Sequence, residues 1–282
     1  MPILPNLPFE LQEEIFRLAV TESTTTAGRL IQVSKWVRHF IEPILYEVIA
    51  LVKDDGNGVP AFYPPHIAKR SSDILSFFEE YGRHVRYLCI NPPTSLQPKI
   101  EIASILKSCL FLKNLMVRTQ CSREIIQVVQ DYPPNLKCFS AVAGGCHTFL
   151  DASKPTYQRL THLDLLEAHD WETWSAFLTQ LPCLTHLALD YMRGTMVHNT
   201  LRECKNLQAL LLVMEDRSMK EVCREEVDDM WEIHIDEKAV VISVRGLDHW
   251  LSSVRGEVDM WALADRVIME RRKNREKRLD VD

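Results

Sequence analysis

The hexapeptide Leu160-Thr-His-Leu-Asp-Leu165 returns 24 residues later as Leu184-Thr-His-Leu-Ala-Leu189, with five of its six positions unchanged. Apolar triplets of the same spacing stand at Val85-Leu88-Ile90, Leu112-Leu115-Val117, Leu136-Phe139-Ala141 and Leu207-Leu210-Leu212. Their middle positions, 88, 115, 139, 163, 187 and 210, are 27, 24, 24, 24 and 23 residues apart. Such a period predicts an array in which each unit supplies one short strand and a helical or irregular return. Side chains alternate along a strand, so if Leu160, Leu163 and Leu165 face the core, His162 and Asp164 take the other face. His186, Ala188 and Asp190 then lie beside them, and a strand separation of about 4.8 Å makes His162 and His186 near neighbours.

The pattern differs at both ends of the array. Leu11, Ile15, Leu18 and Ala19 fall at i, i+4, i+7 and i+8, one face of a helix that begins near Pro8 and ends near Thr21. Leu30, Val33, Trp36, Val37 and Phe40 form a second helical series, which Pro43 is expected to break or restart. Tyr46 to Val52 reads as a first strand, and residues 53–66, rich in Asp, Gly and Pro, as an exposed loop. Helices are expected over 67–81, stopped by Gly82, over 100–110 and over 122–130. After Met214 the spacing predicts a charged helical connector over 217–230, strands at Trp231–Ile235 and Ala239–Val244, and a last helix over 258–277. That helix carries Trp261, Leu263, Ala264, Val267 and Ile268 toward the protein and should cover the open end of the sheet.

Composition narrows the function classes. With 282 residues and 46% hydrophobic side chains the chain has ample material for a packed core. A net charge of -6 gives no basic surface for nucleic acid or an anionic membrane. The eight cysteines form no C-x-x-C pair and sit in or beside apolar runs, which fits reduced thiols in a cytoplasmic or nuclear protein. Neither a signal peptide nor a transmembrane helix is expected, since Glu42, Pro43 and Glu47 interrupt the most apolar span.

The L-x-x-L-x-L spelling and its period resemble a leucine-rich repeat. That family's usual Asn or Cys, which bonds the backbone of each turn, is replaced here by Gln120, Gly144, Ala168, Met192 and Glu215. An irregular array is therefore expected, its turns satisfied by water or other side chains. Upstream, Leu7-Pro8-x-Glu10-Leu11-x-x-x-Ile15-Phe16-x-Leu18, followed by Val33-Ser34-Lys35-Trp36 and Leu45-Tyr46, resembles the F-box motif in spelling, order, spacing and placement. The resemblance implies a three-helix module whose apolar face docks on the Skp adaptor of a Skp-cullin-F-box ubiquitin ligase, through Leu7, Pro8, Leu11, Ile15, Val33 and Trp36. Ser34 stands where the family commonly has Cys, and Pro43 interrupts the third helix. The Asp259 to Asp265 helix with its basic end also resembles the C-terminus of fungal F-box proteins with leucine-rich repeats. The other reading of Leu11, Ile15, Val33 and Trp36 is the capping core that a solenoid requires.

Candidate chemistry is sparse. Gly144-Gly145-Cys146-His147 sets a thiol beside an imidazole without an orienting third group. His162 and His186 with Asp164 and Asp190 have metal-ligand chemistry, but the repeat itself explains both histidines as copies of one unit. The run Arg271 to Arg275 with Lys277 and Arg278 suits the C-terminal end of a helix dipole or an import signal. No G-x-S-x-G, P-loop, H-E-x-x-H or G-x-G-x-x-G motif occurs.

The expected fold class is therefore α/β: an N-terminal three-helix F-box-like module over 1–45, then an irregular leucine-rich-repeat solenoid over 46–282 with a parallel sheet and a C-terminal cap over about 215–282. No enzyme activity, cofactor or metal is expected. The function implied is a substrate receptor that reaches the cullin through the Skp adaptor and holds a protein substrate on its repeats. Tyr87, Asn114, Arg118, His162, Asp164, His186 and Asp190 are the candidate substrate surface. The alternative is a protein-binding repeat scaffold unrelated to ubiquitin, with the N-terminal helices as its cap.

Overall fold

The computed structural model describes residues 7–22, 24–53, 60–63, 74–91, 98–132, 135–144, 146–168, 171–190, 194–214, 236–243, 246–257 and 259–279. The expected connector over 217–230, the strand at Trp231–Ile235 and most of the loop over 53–66 lie outside them. The protein is α/β, with parallel strands in each of two compact units, Met1–Leu112 and Lys113–Asp282. Among the described residues no helix is long and apolar enough to cross a membrane.

In the first unit, helices α1 (Phe9–Glu22), α2 (Thr24–Leu30) and α3 (Lys35–Leu45) precede strand β1 (Val48–Lys53). Ser34 starts α3 as its N-cap: its Oγ accepts the Val37 N–H at 3.1 Å, so the serine that departs from the F-box pattern has a structural role here. Pro43 does not break α3, which continues to Leu45. A proline forfeits one backbone bond, and here the loss falls in the last turn, where the Tyr46 N–H still reaches Glu42 O at 3.0 Å. Ile41, Leu45 and Tyr46 are buried, and the Tyr46 ring packs on Phe77 (5.4 Å) and Tyr81 (4.4 Å) of α4 (Ile74–Tyr81).

A short 3-10 turn over Gly82–His84 follows α4. A Cβ on Gly82 would lie 2.8 Å from the Ser108 carbonyl oxygen, so this glycine permits close backbone approach besides ending the helix. β1 pairs in parallel with β3 (Tyr87–Asn91), with Ile49 opposite Leu88. It also pairs antiparallel with β2 (Pro60–Tyr63), a strand that the proline-rich spelling concealed; Pro60 sits at its first position, where a missing donor is tolerated. Helix α5 (Pro98–Ser108) completes the unit and buries Ile102, Ile105 and Leu106.

The second unit holds six parallel strands in chain order: β4 (Asn114–Gln120), β5 (Cys138–Val142), β6 (His162–Leu166), β7 (His186–Asp190), β8 (Ala209–Met214) and β9 (Ala239–Ser243). Returns run through α6 (Arg123–Asp131), 3-10 turns at Cys146–Phe149 and Tyr157–Arg159, α7 (Trp171–Leu178) and α8 (Gly194–Glu203). The 24-residue repeat becomes register: Leu115, Phe139, Leu163, Leu187 and Leu210 lie side by side, at most 3% exposed. Asn114, Cys138, His162, His186 and Ala209 form the neighbouring row, whose side chains take the other face.

Two further helices, α9 (Gly246–Val254) and α10 (Met260–Leu279), follow β9. The last does not cap the open end of the sheet as its spacing suggested. Trp261, Ala264 and Ile268 of α10 instead form one buried cluster with Ala188, Ala209, Leu211, Val240 and Ile242, on the outer face of β7–β9. Those outer positions are apolar, so leaving them in water would forfeit roughly 25 cal/mol for each Å² of apolar surface; covering the face outweighs covering the edge.

Candidate functional site

Eleven large apolar side chains are exposed among the described residues, and six belong to the N-terminal helices and the turn before α3: Phe9 (56%), Leu11 (50%), Ile15 (45%), Leu18 (54%), Val33 (58%) and Trp36 (47%). Leu11, Ile15 and Leu18 share one stripe of α1 by their spacing. The opposite set, Val20, Ile31, Val37, Ile41 and Leu45, is buried. Four of the motif residues, Leu11, Ile15, Val33 and Trp36, thus lie outside any core within the described chain. Concentrated apolar exposure of this kind marks a surface that meets another molecule. The Trp36 ring is held in place by Phe16 (5.9 Å) and Phe40 (5.3 Å). Leu7 is half-buried and its carbonyl accepts from Gln12 Nε2 at 2.7 Å; exposed Pro8 accepts the Gln12 N–H at 3.1 Å and opens the first turn of α1.

The second candidate is the outer face of β4–β7. His162 and His186 are opposite each other, and their rings stack at 4.3 Å with an interplanar angle of 9°. Each is anchored in the same way: Thr161 Oγ1 pairs with His162 Nδ1 and Thr185 Oγ1 with His186 Nδ1, both at 2.8 Å. Trp261 of α10 meets both rings edge-on at 5.1 and 5.8 Å, and His186 Nε2 donates to Asp265 Oδ1 at 3.1 Å. Burial, reinforced by His186, pushes the His162 imidazole down to about 4, with Asp265 opposing. His162 is therefore neutral at pH 7.

Strand alternation is as expected, but the side chains on that face are not free. His186, against Trp261 and Asp265 of α10, is 6% exposed, and Asp164, beside Ser140, is 8% exposed. Asp164 Oδ2 accepts the Ser140 hydroxyl at 2.6 Å, and burial raises its carboxyl to about 6, against the pull of Ser140 and Arg118. Asp190 takes the turn-bonding task that the repeat's missing asparagines leave open: its Oδ1 accepts the Glu167 N–H at 2.6 Å, where Glu167 has φ +63°. Asn114 accepts from the Trp250 indole of α9 at 3.1 Å. Arg118 and, in the first unit, Tyr87 are half-buried.

Ser140, Thr161, Thr185, Trp250 and Asp265 escaped the sequence reading. Their partners are 24 to 136 residues away or lie in a side-chain pairing that no motif encodes. The signal for a cover on this face was present in the apolar outer positions Ala188, Leu211 and Val240.

The remaining chemistry stays dispersed. His147 lies near Trp174 (6.2 Å) at the Cys146–Phe149 turn, and Gly145 is outside the described residues. Burial and Asp259 push the Cys138 thiol up to about 12, which leaves it protonated and unreactive. Among the described residues no three His, Cys, Asp or Glu side chains converge as metal ligands. Part of the basic run is tied to β9: Arg271 donates to Ala239 O at 2.6 Å, while Arg272 and Arg275 pair with Glu237. No family model matches the chain, and no curated protein matches it.

Proposed function

We propose that this protein is the substrate receptor of a Skp-cullin-F-box ubiquitin ligase, docking on the Skp adaptor through α1–α3 and holding a protein substrate on its repeats. The observation that carries the reading is the exposed set Leu11, Ile15, Leu18, Val33 and Trp36 in a helical segment that buries Val20, Ile31, Val37, Ile41 and Leu45. Apolar anchors at about 50% exposure gain further burial in a complex, and a few such residues dominate protein–protein affinity. Leu7 and Pro8 start the helix that presents them. The same exposure disfavours the alternative reading, because a capping core would bury these side chains against the chain itself.

On the repeat side, Arg118, His162 and Asp190 are half-buried, whereas Asp164 and His186 are buried out of easy reach. A substrate would therefore read Arg118 on β4, His162 on β6 and Asp190 at the end of β7 rather than the whole row. Co-purification with the host's Skp adaptor tests the reading: wild type should be retained, while Leu11→Asp and Ile15→Asp, at exposed positions, should remain folded and be lost. Failure of wild type to bind, or retention of both folded variants, would sink it.

A further inference from the structure

The first unit contains a cleft of about 390 Å³ between α1, α3 and the start of β3. One wall is apolar, built from Phe9, Phe40, Pro43 and Ile44. Facing it are His39, His84 and Arg86. Burial holds the His84 imidazole below the ordinary range, reinforced by Arg83, Arg86 and His39, all basic. Arg83 Nε donates to His84 Nε2 at 3.2 Å, so the proton of neutral His84 sits on Nδ1 and remains available as a donor. Arg86 is held over the Phe111 ring at 4.7 Å and gives Nη1 to the Phe111 carbonyl at 3.3 Å, leaving its other N–H groups to a ligand.

Two carboxylates also line the cleft. Glu13 is paired with Arg17 at 3.3 Å. Glu47 has no hydrogen-bond or ion-pair partner for its carboxylate among the described residues, and its backbone fixes it beside Arg86 through the Arg86 N–H to Glu47 O bond at 2.9 Å. Glu47 repels any anion, and phosphate, with no apolar body to offset that repulsion, gains less here than a monocarboxylate whose body packs on Phe9, Phe40, Pro43 and Ile44. An N–H next to that charge would find Glu47 as acceptor.

We propose that this cleft binds a carboxylate carried on an apolar body, with the charge at Arg86, His84 and His39 and the body against Phe9, Phe40, Pro43 and Ile44. The volume falls within the range of small-molecule sites, and the cleft sets one apolar wall against several polar groups. Two sources share this chemistry, a free organic acid and the C-terminus of a chain ending in an apolar residue. The cleft borders the proposed docking surface, since Phe9 belongs to its exposed apolar set and Phe40 supports Trp36, yet it needs no adaptor: carboxylate binding is read on the free chain and holds or fails whatever adaptor docking does.

The probes are 3-phenylpropionate, N-acetyl-glycyl-phenylalanine, the amide of each, and inorganic phosphate, titrated to about 10 mM so that millimolar affinity registers. Binding is read from the imidazole resonances of His39 and His84. At least one acid should shift them saturably, while both amides and phosphate leave them unmoved; which acid binds identifies the source. Arg86→Gln should weaken binding about tenfold, the value of one charge-assisted hydrogen bond. Because Arg86 also bonds Phe111, exposed His39→Ala serves as the second variant: unchanged melting temperature and severalfold weaker binding read at His84. No shift with either acid, amides binding as well as acids, or His39→Ala binding as wild type would overturn the proposal.

Discussion

His162 and His186 stack face to face at 4.3 Å under the edge of Trp261, with His186 alone tied to α10 through Asp265. Their parallel stacking follows from the 24-residue identity of Leu160–Leu165 and Leu184–Leu189, which places two Thr-His pairs in register on adjacent strands. Burial of His162, reinforced by the neighbouring His186, is what makes this part of the fold sensitive to pH.

Burial and its neighbour hold His162 at about 4, below the ordinary 6.5, so between these values the unfolded chain binds the proton that the folded chain refuses. The His162 contribution is intact above about pH 6.5 and is lost as the pH falls to about 4, amounting to at most about 3 kcal/mol. Urea midpoints at pH 7 and pH 4.5 should therefore fall less for His162→Gln than for wild type. Equal falls would contradict the assignment.

Asp164 works in the opposite sense. Its folded carboxyl is raised from 3.8 to about 6 by burial, so the folded state is penalised once both states ionise above pH 6 and spared below pH 3.8. Asp164→Asn keeps an oxygen for the Ser140 hydroxyl and removes the charge. It should raise stability at pH 7.5 by about 1 to 2 kcal/mol and leave it nearly unchanged at pH 3.5, read from chemical denaturation at both values. A loss at pH 7.5 would show that Arg118 compensates the charge more than burial penalises it.

Trp261 closes the α10 cluster and covers both histidines. Trp261→Ala should cost about 3 to 5 kcal/mol, and the His162 imidazole should return toward 6.5 as water enters. Denaturation and histidine NMR titration on one sample give both values. A large stability loss without movement of the His162 titration would mean that the strands, not α10, desolvate it.

Register, strand positions and the alternation of faces were legible because the leucine triplets repeat with nearly constant period. What covers the outer face was not legible. The helix with Trp261, Ala264 and Ile268 was evident as an amphipathic segment, but periodicity names an apolar side without naming what it meets. Asp190 shows the same limit: its bond to the Glu167 N–H joins residues 23 apart, and only the structure pairs them. Pro43 followed a local rule that its place in the last turn of α3 suspends, and β2 was hidden by Pro60. Four of the residues that carry the F-box resemblance, Leu11, Ile15, Val33 and Trp36, stand exposed, and no sequence pattern could say so, since apolar spacing alone does not separate a face packed within the chain from one left open.

Calorimetric titration of the full chain with the purified Skp adaptor tests the proposed docking of these exposed side chains. One-to-one binding by wild type, weakened at least about tenfold by Trp36→Ala and by Ile15→Asp at unchanged melting temperature, is the predicted result. Absence of binding heat across a range of temperatures, or wild-type affinity in both folded variants, would contradict it.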